Sequence, residues 1–126
     1  MASRFGDQKV IEQLDEIDGT LFICEIGLLE QLYSARSASD YDKTERELRE
    51  AFDLLVAPPD ALKLAQALQK DLAHHRGLWH RRPIPDLLIA VTALHHGVGV
   101  VHADNDFSLI AQVTSLKTKK IEVSAS

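Results

Sequence analysis

Three carboxylates in the last third of the chain lie where α/β proteins collect their ligands. Asp86 begins an apolar segment with helical character that runs from Leu87 to Leu94. Asp104 and Asp106 directly follow a second apolar run, from Val98 to Ala103, which is typical of a strand. Ligands of an open α/β sheet bind in the crevice outside the carboxyl ends of the strands. We therefore expect these acids to point toward one site.

Carboxylates gathered in a poorly hydrated pocket repel one another unless a cation lies among them. Carboxylate oxygens suit Mg²⁺ or Mn²⁺, so the pattern predicts a metal-dependent hydrolase. Each acid also has a purely structural interpretation. A carboxylate at position 86 would interact favourably with the helix dipole, and either Asp104 or Asp106 could cap the next helix. One cap, however, does not need both acids.

Glu30 is a further candidate ligand, in the segment that follows the first apolar strand. It lies four residues after Ile26 and three residues before Tyr33, so in a helix it shares their face. A charge on an inward-facing stripe needs a partner or a metal. Glu25, at the junction of strand and helix, could instead face solvent or cap the helix. We therefore prefer Glu30 to Glu25 as the ligand.

Other catalytic chemistries have weaker support in the sequence. The adjacent histidine pairs at 74–75 and 95–96 would point about 100° apart on a helix, so neither pair can chelate zinc as an i, i+4 pair can. The G-x-S-x-G, Walker and Rossmann patterns are absent from the sequence. The carboxylates therefore remain the best candidates for a functional site.

The composition predicts a single intracellular domain over residues 1–126. A formal net charge of -5 argues against a general electrostatic grip on nucleic acid, although basic segments at 74–76 and 80–82 could act locally. Cys24 is the single cysteine, which excludes a disulfide within the chain and fits a reducing cytoplasm. Neither a membrane span of roughly 20 apolar residues nor a signal peptide is expected.

Helices and short apolar strands alternate in the predicted order of elements. The spacing of apolar residues predicts helices over 8–17, about 25–35, 40–55, about 61–75, 86–96 and 107–113. Strands are predicted over 20–24 and 98–103, with short extended pieces at 56–57 and 121–123, and loops around 37–39 and over 77–85. This alternation favours an α/β fold with a parallel sheet.

Three motifs together resemble the PIN-domain ribonucleases, and the nearest group is the VapC-type toxins of bacterial toxin–antitoxin pairs. They are Leu29-Glu30-Gln31-Leu32-Tyr33, Ile84-Pro85-Asp86-Leu87-Leu88 and His102-Ala103-Asp104-Asn105-Asp106-Phe107. The resemblance implies a three-layer α/β sandwich with a short, mainly parallel sheet flanked by helices. It also implies a homodimer that cuts single-stranded or structured RNA with Mg²⁺ or Mn²⁺ and is inhibited by a VapB-like antitoxin peptide.

By motif position, Glu30, Asp86 and Asp104 match acidic residues of the family, with Asp106 as an auxiliary acid. Under the enzyme hypothesis, Asp86 and Asp104 hold the ion, and Glu30 binds it or orients its water. The predicted contacts to RNA phosphates are Arg76, Arg81 and Arg82.

The chain departs from the family pattern at its N-terminus. Family members open with an apolar strand that runs into an Asp followed by Ser or Thr, and residues 1–7 do not form such a strand. Asp7 therefore does not take the first acidic role, and we expect the first central strand to be missing, through a late start or a degenerate gene. The expected consequences are lower stability and weak or absent cleavage, unless a partner or swapped segment restores the strand.

Because of this departure, the chain could be a catalytically impaired PIN-like module that binds an antitoxin or RNA without cleaving. A separate hypothesis is a structural α/β domain whose acids only cap helices.

Overall fold

Short parallel strands alternate with helices along the chain. The structure is a computed structural model that describes residues 7–75, 77, 79–103 and 105–123. In chain order its elements are α1 Gln8–Asp15, β1 Phe22–Cys24, α2 Glu25–Tyr33, α3 Ala38–Ala51, β2 Asp53–Leu55, α4 Ala61–His75, α5 Ile84–His96, β3 Val100–His102, α6 Asp106–Ala111 and β4 Thr118–Lys120. Within this part of the chain, no helix has the length and apolar character needed to cross a membrane.

The elements fall into two compact units. The first unit runs to Leu55 and includes the chain from Ile121 onward, and the second unit is Val56–Lys120. Strand β1 pairs in parallel with β2 in the first unit, and β3 pairs in parallel with β4 in the second. The parallel pairing expected from the sequence is confirmed. The described strands nevertheless form two pairs rather than one continuous sheet.

The first unit has a small core between α2 and α3. Leu28 and Leu32 are one helical turn apart on α2 and pack with Leu48 of α3. All three side chains are buried, with Leu48 only 1% exposed. The i, i+4 spacing of the two α2 leucines therefore defines the inward face of that helix.

The second unit has the larger core, and α5 lies at its centre. Five residues of α5 are buried, which confirms the expectation of a helix that is apolar nearly all round: Leu87, Ala90, Val91, Thr92 and Ala93. The hydroxyl of Thr92 donates to the carbonyl of Leu88 at 2.7 Å, so its burial leaves no unpaired donor. Gly97 ends the helix with a φ of 68°, the left-handed conformation that glycine adopts readily.

Several predicted boundaries were wrong by a few residues. Helix α3 begins at Ala38, inside the predicted loop, because the Ser37 hydroxyl accepts a hydrogen bond from the Asp40 amide at 3.0 Å. The same helix ends at Ala51 rather than 55, because the next residues pair with β1 as strand β2. Likewise, the last strand is Thr118–Lys120 and not 121–123, because its partner is β3.

The approach of Gly99 to Lys117 gives a prediction about stability. A Cβ at position 99 would lie 2.9 Å from the carbonyl oxygen of Lys117, and that oxygen also accepts the amide of Val100 at 2.9 Å. Substitution of Gly99 by alanine should therefore force the β3–β4 pair apart and lower the free energy of unfolding by about 1–2 kcal/mol. Urea denaturation measures the change.

Gly77 provides the matched control. An alanine Cβ at this position meets no atom of the described residues within 4 Å. Gly77→Ala should thus leave stability unchanged or raise it slightly, by reducing the entropy of the unfolded chain. Equal unfolding midpoints for the two variants would contradict the steric argument.

Candidate functional site

Asp86 lies in the first turn of α5, immediately after the loop that contains Pro83. The amide of Asp86 donates to the carbonyl of Pro83 at 3.0 Å, which closes the first turn. The side chain is half-buried at the end of the helix where the dipole favours negative charge. The geometry therefore suits a helix-stabilising acid and equally suits an acid held rigidly for ligand binding.

Asp106 begins α6 and forms an ion pair that the sequence analysis did not predict. Its Oδ1 lies 2.7 Å from Nη1 of Arg82, and the two side chains are only 23% and 22% exposed. Nε of Arg82 is buried and has no hydrogen-bond partner among the described residues. Because Arg82 lies in the loop before α5, this ion pair connects the start of α5 to the start of α6.

Asn105, the residue before Asp106, bonds to strand β4 through its side chain. Asn105 occupies the N-cap position of α6 but makes no capping hydrogen bond through its side chain. Its Oδ1 instead accepts a hydrogen bond from Nζ of Lys120 at 2.9 Å. Asp104, a predicted metal ligand, lies outside the described residues.

Glu30 lies on α2 in the first unit and is half-buried. We expected Glu30 to share an inward-facing stripe with Tyr33, and this expectation was wrong. The inward face is formed by Leu28 and Leu32, whereas Tyr33 is 83% exposed. Glu30 therefore lies beside the buried face of α2 and is not part of it.

The three predicted phosphate contacts occupy different environments. Arg81 is exposed, and Arg82 is held against Asp106. Arg76 lies outside the described residues. Opposite charges 24 residues apart carry no local periodic signal, which is why the pairing of Arg82 with Asp106 was missed.

The predicted ligands have the right chemistry for a hard divalent cation. Glu30, Asp86 and Asp104 offer only carboxylate oxygens, which suit Mg²⁺ or Mn²⁺. No group of three histidine, cysteine, aspartate or glutamate side chains gathers closely enough to hold a metal among residues 7–75, 77, 79–103 and 105–123. The expected binding of a divalent cation by these residues is therefore supported by their carboxylate oxygens and not by a cluster observed among the described residues.

The histidines give no support for a zinc site. The rings of His95 and His96 meet edge to face at 90° with centroids 5.0 Å apart. Nε2 of His96 lies 2.8 Å from the carbonyl oxygen of Val56, so this ring is engaged by backbone. The pair does not present two nitrogens to one ion, as expected for adjacent residues of a helix.

Cys24 and Asp7 have structural roles in the first unit. Sγ of Cys24 accepts a hydrogen bond from the amide of Gly27 at 3.4 Å and caps α2. Burial raises the pKa of the Cys24 thiol and outweighs that hydrogen bond, so the thiol stays protonated and is a poor nucleophile. Asp7 caps α1, with Oδ1 accepting from the Lys9 amide at 2.9 Å.

Known proteins resemble the chain in both sequence and fold. A family model described as PIN domain matches residues 2–113. Ribonuclease VapC17 of Mycobacterium tuberculosis is 59% identical over 93 residues, which cover 74% of this chain and 69% of that protein. Ribonuclease VapC18 of the same organism is 39% identical over 100 residues, covering 79% and 72% respectively.

A solved structure supports the fold. The structure of VapBC-1 from nontypeable Haemophilus influenzae superposes with a TM-score of 0.61 over 90% of this chain and 84% of that chain. The two sequences are 20% identical, so the likeness concerns the fold alone. The α/β architecture expected from the sequence motifs is confirmed.

Proposed function

The chain belongs to the PIN-domain family, and from this premise we propose that it is a metal-dependent endoribonuclease, the toxin of a bacterial toxin–antitoxin pair. The observation that carries the proposal is the high identity to a protein named as a ribonuclease of the VapC group. The carboxylates that match the family motifs support it: Asp86 and Asp106 lie in the first turns of α5 and α6, and Glu30 is half-buried on α2.

Glu30, Asp86 and Asp104 are the residues that would hold Mg²⁺ or Mn²⁺. When bound, such an ion supplies positive charge for the phosphate oxygens and lowers the pKa of a water molecule. Asp106 supports the site from the start of α6, where Arg82 fixes its carboxylate. Arg81, which is exposed, and Arg76 contact the phosphates of the RNA backbone.

We propose one domain for the chain, since a single family model spans most of it. We also propose a homodimer in the cytoplasm that is inhibited by a VapB-like antitoxin peptide. An arginine of such a peptide would be attracted to the acidic site. The likeness to a VapBC structure is compatible with this partner. That likeness supports the fold of the chain and does not test the interaction.

The proposal is tested by incubating the purified chain with single-stranded RNA in Mg²⁺, in Mn²⁺ and in EDTA. Cleavage in either metal and loss of cleavage in EDTA are the expected results, because the carboxylates alone cannot stabilise the charge that develops on phosphate. RNA that stays intact in both metals, together with tight binding of a VapB-like peptide, would favour the non-cleaving binding module instead.

A further inference from the structure

The first unit contains an open groove between the end of α2 and the start of α3. Its volume is about 600 Å³, within the range of small-ligand sites, and the buried Leu32 is one of its lining residues. Two aromatic side chains line it, Tyr33 from α2 and Tyr41 from α3, and they are 83% and 39% exposed. The groove therefore includes two aromatic side chains that solvent can reach.

The connection between α2 and α3 fixes the shape of the groove. The amide of Arg36 donates to Oδ2 of Asp40 at 2.9 Å, and the amide of Asp40 donates to the hydroxyl of Ser37 at 3.0 Å. The amide of Ala35 donates to the carbonyl of Leu32 at 3.1 Å. These bonds hold the turn in one conformation, so a ligand would bind without ordering it first.

Charged and polar side chains line the groove together with the apolar Leu32, Ala35 and Ala38. Arg36, Ser37 and Asp42 all line the groove, and all three are exposed. Aromatic rings stack with nucleobases of any sequence, and an arginine beside them can contact phosphate or stack in turn. Hydroxyl and carboxylate groups accept hydrogen bonds from the edges of bases. An apolar peptide side chain would leave these polar groups unused.

Glu30, one of the carboxylates assigned to catalysis, lies on the same helix as Tyr33 and does not itself line the groove. Tyr33 follows Glu30 by three residues on α2, and side chains at this spacing have Cβ atoms about 5–6 Å apart. A nucleotide stacked on Tyr33 would thus be held next to the carboxylate of Glu30.

We propose that this groove binds a nucleotide of single-stranded RNA beside the bond that is cut, with its base stacked on Tyr33. Tyr41 forms the second wall, and Arg36 contacts the neighbouring phosphate. This inference rests on the proposed ribonuclease function and adds a substrate-binding site to it. It predicts that the enzyme acts on unpaired nucleotides, because a paired base cannot leave its stack to enter the groove at low cost.

Tyr33→Ala tests the proposal, with Tyr33→Phe and Leu62→Ala as controls. Phe keeps the stacking surface, and Leu62 is an exposed apolar residue of α4 that does not line the groove. The probe is a short single-stranded RNA that contains 2-aminopurine, whose fluorescence falls on stacking, titrated in EDTA. Loss of one stacked base should weaken binding by roughly five- to a hundredfold in Tyr33→Ala alone and abolish the fluorescence change.

Cleavage kinetics in Mg²⁺ separate failure of this proposal from failure of the ribonuclease function. We expect Tyr33→Ala to raise KM with little change in kcat, since the ring binds substrate and does not touch the reacting atoms. If the wild-type chain cuts RNA and Tyr33→Ala behaves like Leu62→Ala, the groove proposal alone is wrong. It is also wrong if Tyr33→Ala weakens only binding of a VapB-like peptide or self-association. If the wild-type chain neither binds nor cuts RNA, both proposals fail.

Discussion

Replacement of Asp86 by asparagine should reduce RNA cleavage at least about a hundredfold while leaving the chain folded. Loss of a group that only supports a metal ligand typically costs about 10- to 100-fold, so loss of a ligand charge should cost at least as much. Asparagine preserves the size of the side chain at the start of α5. The fold loses a charge–dipole interaction, which is worth about 0.3–1 kcal/mol. Cleavage of single-stranded RNA in Mg²⁺ and a thermal melt measure the two effects.

Glu25→Gln is the matched control for Asp86→Asn. Glu25 is also an acid in the first turn of a helix, α2, and its side chain is exposed. The same loss of charge at a helix start should therefore leave cleavage within about twofold of the wild type. If Asp86→Asn cleaves as well as Glu25→Gln, then Asp86 serves only the helix. The assignment of Asp86 to the site would then be wrong.

The helices were predictable because each carries many periodic positions. Helix α4 extends over Ala61–His75 with Ala65, Leu68 and Leu72 buried on one side, as the leucine spacing indicated. The stop at Gly97 was predictable for a different reason, since glycine takes the left-handed conformation at low cost. Both the apolar spacing and the glycine stop depend only on neighbouring residues, so they can be recognised from the sequence alone.

The strands were harder to predict because each has only three residues. Strand β2 contains Asp53 and two leucines that are exposed or half-buried, so it lacks the alternation that identifies a strand. Its pairing of Leu54 with Ile23 determines where it lies. Because that contact joins residues distant in the sequence, the local order of apolar and polar residues does not indicate it.

The order of the motifs along the chain identified the candidate residues. Their burial and their contacts could be described only from the structure. Periodicity suggested that Glu30 and Tyr33 share a buried face, but the leucines at 28 and 32 compete for the same core and occupy it. Tyr33 is consequently exposed and becomes part of a groove. The pairing of Arg82 with Asp106 depends in the same way on a contact between distant residues.

Replacement of Arg82 by methionine should lower the free energy of unfolding by about 2–3 kcal/mol. Methionine retains much of the side-chain volume but removes the guanidinium from the Asp106 carboxylate, which is only 23% exposed. Breaking a fully buried ion pair costs about 3–5 kcal/mol, and the remaining exposure of this pair reduces that cost. Urea denaturation gives the change. Arg82→Lys, which keeps the charge but loses the planar fork, should fall between the wild type and Arg82→Met.

Arg81→Met controls for loss of positive charge at the adjacent position. Arg81 is exposed, so this variant should stay within about 0.5 kcal/mol of the wild type. Combining Arg82→Met with Asp106→Asn should cost less than the sum of the two changes, with a coupling energy of about 1–2 kcal/mol. Additive costs, or equal stability of the two methionine variants, would show that the ion pair does not stabilise the connection between α5 and α6. Arg82 would then be available to bind phosphate, as the sequence first suggested.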